Sequence, residues 1–257
     1  MNRTTLQLPR RAEKPRAAGL TMVSDGGIPR SYFADLITSA AEYIDLVKFG
    51  WGTAVVTSDL NAKIGVLRAN EIDFYFGGTL FEKYVLQGRF DEYRSFCLAH
   101  QCRHVEVSNG TISLPNSEKA SYIGKLAGDF TVVSEVGFKD PHRSGQLPPS
   151  RWIDYIGEDL AAGASLVTLE ARESGRSGIC RPDGELRFGL IEDVLTSGLS
   201  PGSLLFEAPT TALQVHFVTR LGPDVNLGNV PAQGVLALET LRLGLRADTL
   251  TTFEAAS

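Results

Sequence analysis

Eight times along the chain, a short run rich in β-branched and aromatic residues gives way to a turn and then to a stretch whose apolar residues recur at helical spacing, with a period of about 30 residues. The strand-like runs fall at 20–25, 44–50, 73–76, 104–108, 131–137, 167–170, 203–207 and 224–229. Helical patterns occupy 29–43, 59–69, 90–100, a stretch from 117, 149–162, 186–195, 211–221 and 233–245, while 77–82 reads as the loop after the third strand. Such regular alternation demands a parallel sheet covered by helices, and its count and length predict one α/β domain, a single (β/α)8 TIM barrel. An open doubly wound sheet is the alternative. It is weakened because no Gly-x-Gly-x-x-Gly follows the first strand. The chain then divides into a polar lead-in (1–18), the barrel (19–250) and a short tail (251–257).

The first residues are locally basic, with Arg3, Arg10, Arg11, Lys14 and Arg16, and read as a solvated lead-in. The formal net charge of the whole is −5, which argues against a nucleic-acid surface. No apolar run approaches the ~20 residues that span a bilayer, and the start lacks a secretory apolar run, so the expected location is the cytoplasm and no membrane partner is expected. Cys97, Cys102 and Cys180 are odd in number and lack Cys-x-x-Cys spacing, which indicates neither a disulfide framework nor a zinc site.

In a barrel of this kind, the site is built from the C-terminal ends of the strands and the loops that follow them. Here Asp25, Glu106, Glu135, Glu170 and Glu207 stand at the ends of strands 1, 4, 5, 6 and 7, and Lys48 lies inside strand 2. Unpaired buried charge is costly, so acids at equivalent places make sense if they converge on one mouth and are neutralised there. An oxygen-rich, histidine-poor set favours Mg2+, or Mn2+, over zinc. Lys48, Lys139 and Arg172 are the cations available to bind an anionic substrate or to donate a proton. Phosphate is expected on the loops after strands 7 and 8, at 208–210 and 228–230, or on the small-residue loop at 175–178. The substrate-binding candidates are therefore Arg172, Ser174, Gly175, Asn226, Gly228 and Asn229. Trp51 and Phe81 either cover the mouth or pack beside it. The histidines read as packing or surface residues, and no elbow motif suggests a Ser/His/Asp triad.

The motifs at 48–53 (KFGWGT), 77–82 (GGTLFE), 106–110 (EVSNG), 134–137 (SEVG), 170–175 (EARESG), 206–209 (FEAP), 225–227 (VNL) and 238–242 (LETLR) resemble the phosphosulfolactate synthase family, in its bacterial branch, in one ordered set from 19 to 249. The resemblance implies a (β/α)8 barrel, a homo-oligomer and a Mg2+-dependent addition of sulfite to C3 of phosphoenolpyruvate. It places the acid that protonates C2 at Lys139, and it makes Arg172 with the loop through Gly175 candidates for phosphate or sulfite. Archaeal members carry a basic residue where Phe138 stands and aspartate where Asn109 stands. The aromatic beside Lys139 motivates an alternative, an aldolase joining C3 of phosphoenolpyruvate to a 2-oxo acid with loss of phosphate. The family also resembles plant heat-stress-associated proteins, which allows a third reading as a non-catalytic interaction protein. The intact acids and Lys139 argue against it.

Overall fold

The computed structural model describes residues 5–253; Arg3, within the basic lead-in, and the last four residues of the tail lie outside the described residues. Its strands are β1 (Thr21–Asp25), β2 (Leu46–Phe49), β3 (Asp73–Phe76), β4 (His104–Val107), β5 (Thr131–Val136), β6 (Ala164–Leu169), β7 (Leu204–Glu207) and β8 (Leu227–Pro231). The helices are α1 (Arg30–Ala40), α2 (Thr53–Val56), α3 (Leu60–Ala69), α4 (Gly78–Leu86), α5 (Phe90–Ala99), α6 (Asn116–Leu126), α7 (Pro141–Gln146), α8 (Pro149–Ala161), α9 (Phe188–Thr196), α10 (Thr211–Leu221) and α11 (Val235–Arg242). All ladders are parallel, in the order β3-β2-β1-β8-β7-β6-β5-β4. The two end strands, β3 and β4, also lie side by side, so the sheet curls into the expected (β/α)8 TIM barrel with one seam that has no ladder among the described residues. Side chains stitch that seam instead: Arg103 pairs with Asp73 at 2.8 Å at the bottom, and Glu106 accepts the Gly78 N–H at 2.5 Å at the top.

The alternation of each strand decides what reaches the barrel axis. Val23, Val47, Phe49, Val105, Val107, Val136, Val167 and Phe206 face outward and pack beneath the helices. Met22, Leu46, Tyr75, Val133, Leu166 and Leu205 face inward and fill one layer of the interior. Two residues further along their strands stand Ser24, Lys48, Glu135 and Glu207, with Glu106 and Glu170 on the same inward phase of β4 and just beyond β6. A single period-two pattern thus seals the barrel with hydrocarbon and places charge one layer above it.

Four local expectations are revised. The segment expected as a loop at 77–82 opens α4, whose Glu82 is buried and ties down the next loop by accepting Ser108 Oγ, Thr111 N–H and Ile112 N–H. The polar loop after β5 contains a short helix, α7, started by Pro141 and capped by Asp140, which accepts the Arg143 N–H at 2.8 Å. Strand β8 begins at Leu227 rather than 224; just before it, the Asn226 carbonyl accepts the Phe206 N–H, and its side chain accepts the Leu20 N–H and donates to Gly202 O and Leu204 O. The lead-in is only partly solvated where it is described, since three of its cations are docked on the barrel. Arg11 donates to Glu239, Asp224, Pro223 O and Gly19 O, Lys14 donates to Ala41 O and Ile44 O, and Arg16 pairs with Asp45, docking the segment across the N-terminal end of the barrel.

Candidate active site

At the C-terminal end of the barrel lies a cavity of about 440 Å3. The inward acids of β4, β5, β6 and β7 converge on it from strands separated by long stretches of sequence, and none of Glu106, Glu135, Glu170 and Glu207 is more than 2% exposed. Two lysines neutralise them in part. Lys48 Nζ lies 3.0 Å from Glu207 Oε1 and 3.7 Å from Glu106 Oε1, and Lys139 Nζ lies 2.6 Å from Glu135 Oε1 and 2.5 Å from Glu170 Oε2. Glu207 is the hub, accepting the N–H groups of Ala171 (2.8 Å) and Arg172 (3.0 Å) at one oxygen and Asn229 Nδ2 at the other. It therefore aligns the end of β6 against β7 and β8.

Burial raises the pKa of Glu106 and Glu170 and pushes Glu135 up to about 7, with the neighbouring Glu170 charge adding to the effect. Burial works against charge on both lysines, but the surrounding carboxylates outweigh it, so Lys48 and Lys139 are held in the ammonium form. The raised Glu135 value makes a prediction. A folded acid that holds its proton more tightly than the unfolded chain adds stability below its ordinary pKa of 4.5, and that contribution is lost as pH rises to about 7. The melting temperature of metal-free protein should carry this downward slope, and Glu135→Gln should flatten it; an equal slope in the variant would remove Glu135 as its source.

One carboxylate oxygen from each of Glu135, Glu170 and Glu207 lies within 4.8 Å of the others, and Glu106 Oε1 is buried without a hydrogen-bond partner. All-oxygen donors at this spacing suit a hard divalent cation. With all four carboxylates ionised, they leave two negative charges against the two ammoniums, which one divalent cation would balance. The buried acidic triad therefore has the composition of a metal site.

Some expected site residues do not reach the cavity. Asp25 has the outward phase of β1: its carboxylate pairs with Lys63 at 2.5 Å and accepts the N–H groups of Gly27 and Ile28, whereas Ser24, overlooked in the sequence, lines the cavity. Asn226 is occupied at the start of β8, below the inner layer. Gly228 is a packing residue, since a Cβ there would lie 2.9 Å from both Leu205 and Met22 of that layer. Ser174, Gly175 and the 208–210 loop are also absent from the lining. The opposite wall is made instead by the turns after β2 and β3, through Gly50, Trp51, Gly77, Gly78 and Thr79. Of the aromatics, Trp51 rims the mouth and Phe81 is core. Arg172, with its side chain 42% exposed, stands at the entrance beside Glu173, and Asn229 presents a buried Oδ1 that has no partner.

Three lining residues that are not glycine, Trp51, Arg172 and Asn229, adopt positive φ of 50°, 58° and 51°. Strain of this kind persists where the surrounding structure fixes it and is common at functional sites. The loop that follows Arg172 returns to its own start, because the Ile179 N–H donates to Glu170 O at 2.8 Å. Gly178, at φ +62°, makes that closure possible, since a Cβ there would fall 1.7 Å from Glu170 O. Gly178→Ala should accordingly lower stability by at least ~3 kcal/mol and displace the Glu170 carboxylate. A thermal melt matching wild type would contradict this.

A (β/α)8 barrel with buried carboxylates and lysines gathered at its catalytic end defines a class, that of barrel enzymes acting on small molecules. A family model described as (2R)-phospho-3-sulfolactate synthase (ComA) matches residues 9–248. Phosphosulfolactate synthase of Bacillus subtilis (strain 168) is 47% identical over 249 residues, covering 97% of this chain and 99% of that protein. The enzyme of the same name from Methanothermobacter thermautotrophicus is 40% identical over 254 residues, covering 97% and 98%. The chain belongs to the phosphosulfolactate synthase family. Among solved structures, the YdjI aldolase from Escherichia coli K12 superposes with a TM-score of 0.55 at 12% identity, covering 86% of this chain and 78% of that one, a likeness of fold alone. No helix among the described residues is long and apolar enough to cross a membrane.

Proposed function

We propose that the protein adds sulfite to C3 of phosphoenolpyruvate, in a Mg2+-dependent reaction that yields phosphosulfolactate. The observation that carries this reading is the placement of Lys139 against Glu135 and Glu170, within a triad spaced for one cation, in a chain 47% identical to a phosphosulfolactate synthase. Glu135, Glu170 and Glu207 are the groups suited to hold Mg2+, with Mn2+ as substitute. Bound there, the ion supplies Lewis-acid stabilisation of the negative charge that develops on the substrate carboxylate. As the sulfur lone pair forms the new bond to C3, the π electrons move toward C2 and its carboxylate, and Lys139 gives C2 its proton. Lys48, held between Glu106 and Glu207, remains a fixed cation at the floor of the site. Arg172 at the entrance binds the anionic substrate, and Asn229, with its Nδ2 spent on Glu207, keeps an acceptor Oδ1 for a hydrogen-bond donor in the cavity.

The aldolase alternative was motivated by Phe138. Its ring stacks against the Arg143 guanidinium at 4.1 Å and is not part of the cavity lining, and Asn109 is spent in shaping its own loop by donating to Leu114 O. Neither departure alters the cavity wall, which favours sulfite. The test is to incubate the purified protein with phosphoenolpyruvate and Mg2+ and either sulfite or a panel of 2-oxo acids, following phosphorus by NMR. Sulfite addition retains the phosphate ester in a new sulfonate, whereas release of inorganic phosphate with an oxo acid alone would replace the proposal by the aldolase. We also read the protein as a cytoplasmic homo-oligomer, and a monomeric mass by light scattering would overturn the oligomer.

A further inference from the structure

The ion pairs of the cavity and a divalent cation draw on the same carboxylates. Lys139 Nζ is bonded to Glu135 Oε1 and Glu170 Oε2, and both residues belong to the triad spaced for one ion. A hard cation needs its carboxylate oxygens at about 2.0–2.6 Å, and an ammonium hydrogen-bonded to two of the same carboxylates would stand close beside it and be repelled. One of the two must yield.

The backbone donors to the triad are not free to leave, and the Asn229 amide, which donates to Glu207, carries no charge to oppose an ion. Glu170 Oε1 accepts the Arg172 N–H, and Glu207 Oε2 accepts the N–H groups of Ala171 and Arg172, so their release would undo the end of β6. Lys48, with a side chain only 8% exposed, is wedged between Glu106 and Glu207. Lys139 differs from all of these. Its backbone is pinned by its N–H to Gly110 O at 3.0 Å, but its side chain is 21% exposed at the cavity wall and carries its charge on a flexible four-carbon stem.

We propose that Lys139 is a displaceable counter-ion: when a divalent cation takes the Glu135–Glu170–Glu207 triad, the ammonium leaves Glu135 and Glu170 and swings into the cavity where substrate binds. The inference rests on the metal-dependent reading above and adds an order to it. Without the ion, the proton donor is engaged with the carboxylates; with the ion, it is delivered to the substrate by side-chain rotation alone. Metal loading and placement of the acid are then a single event.

Two measurements test this without relying on turnover. Calorimetric titration with Mg2+ should show Lys139→Met binding the ion about tenfold or more tightly than wild type, because no ammonium has to be displaced, and Lys139→Arg binding it no more tightly than wild type. Arg172→Met, which removes a rim cation that does not bond the triad with its side chain, should change the affinity by less than about threefold. In the wild-type protein, acylation of Lys139 by an amine-directed reagent, read by peptide mass spectrometry, should rise several-fold on saturation with Mg2+ while Lys48 stays protected. The labelling measurement decides the matter even if Lys139→Met folds poorly. Mg2+ binding with equal affinity in wild type and Lys139→Met, or with unchanged labelling of Lys139, would overturn the displacement and leave the metal reading standing. No Mg2+ binding by either protein would overturn both.

Discussion

Lys139→Met should lower kcat by about 10²–10⁴-fold, the range expected when a positioned general acid is removed, and leave the affinity for phosphoenolpyruvate within a few-fold of wild type. Methionine preserves most of the stem, so the packing of the loop after β5 changes little; the ammonium is what disappears. In the wild-type site this ammonium is held charged by Glu135 and Glu170, and it stands at the wall of the cavity rather than in the hydrocarbon layer beneath. Steady-state rates together with a direct titration of phosphoenolpyruvate separate the two effects. A fall in affinity with unchanged kcat would reassign Lys139 to substrate binding, and wild-type rates would take it out of the mechanism altogether.

The second large effect belongs to Glu207→Gln. Glu207 is fully buried and accepts four hydrogen bonds, from Lys48, Asn229, Ala171 N–H and Arg172 N–H. A glutamine amide has one oxygen and one NH2, so whichever side the NH2 takes, it meets donors, and Lys48 loses its nearest counter-charge. Removing one partner from a buried ion pair costs about 3–5 kcal/mol. In a chain of this size, that loss corresponds to a fall in melting temperature on the order of 10 °C. Activity should be lost as well, because the strained backbone of Arg172 and the side chain of Asn229 are both held by this carboxylate. Glu173→Gln provides the comparison: its side chain is 53% exposed at the rim, and its cost should stay within about 0.5 kcal/mol. If Glu207→Gln melted as Glu173→Gln does, the hub role assigned to Glu207 would have to be given up.

Why some site residues were legible and others not follows from strand phase. Lys48 could be placed inside its strand and Glu135 and Glu207 at the ends of theirs from local pattern alone, and each lies two residues beyond an inward hydrophobic residue, Leu46, Val133 and Leu205. Asp25 was misplaced because its strand is short and apolar on both faces, so the sequence does not mark which phase points to the axis; the structure gives that phase to Ser24. Asn226 and Gly228 looked like mouth residues because β8 was set to begin too early. Each serves the bottom or the interior of the barrel, one by tying neighbouring strands together with its side chain and the other by leaving room for Leu205 and Met22. Apart from Trp51, the segments after β2 and β3 were missed as a cavity wall because their glycines are equally at home in any tight turn.

The chain's own order of residues determined the repeating strand and helix units, the barrel they build and the set of acids and lysines from which a site is made. These properties are local: alternation, helical spacing and the cost of burying charge are readable within a few residues. Only the tertiary structure decided which charged groups meet. Lys48 pairs with Glu207 across 159 positions of sequence, and Lys139 reaches Glu170 across 31, because closure of the barrel brings the ends of different strands onto one axis. The docking of Arg11 under the barrel and the stitched seam between β3 and β4 are decided in the same way. Such pairings depend on register and inward phase around the whole ring, and no local stretch of sequence encodes those.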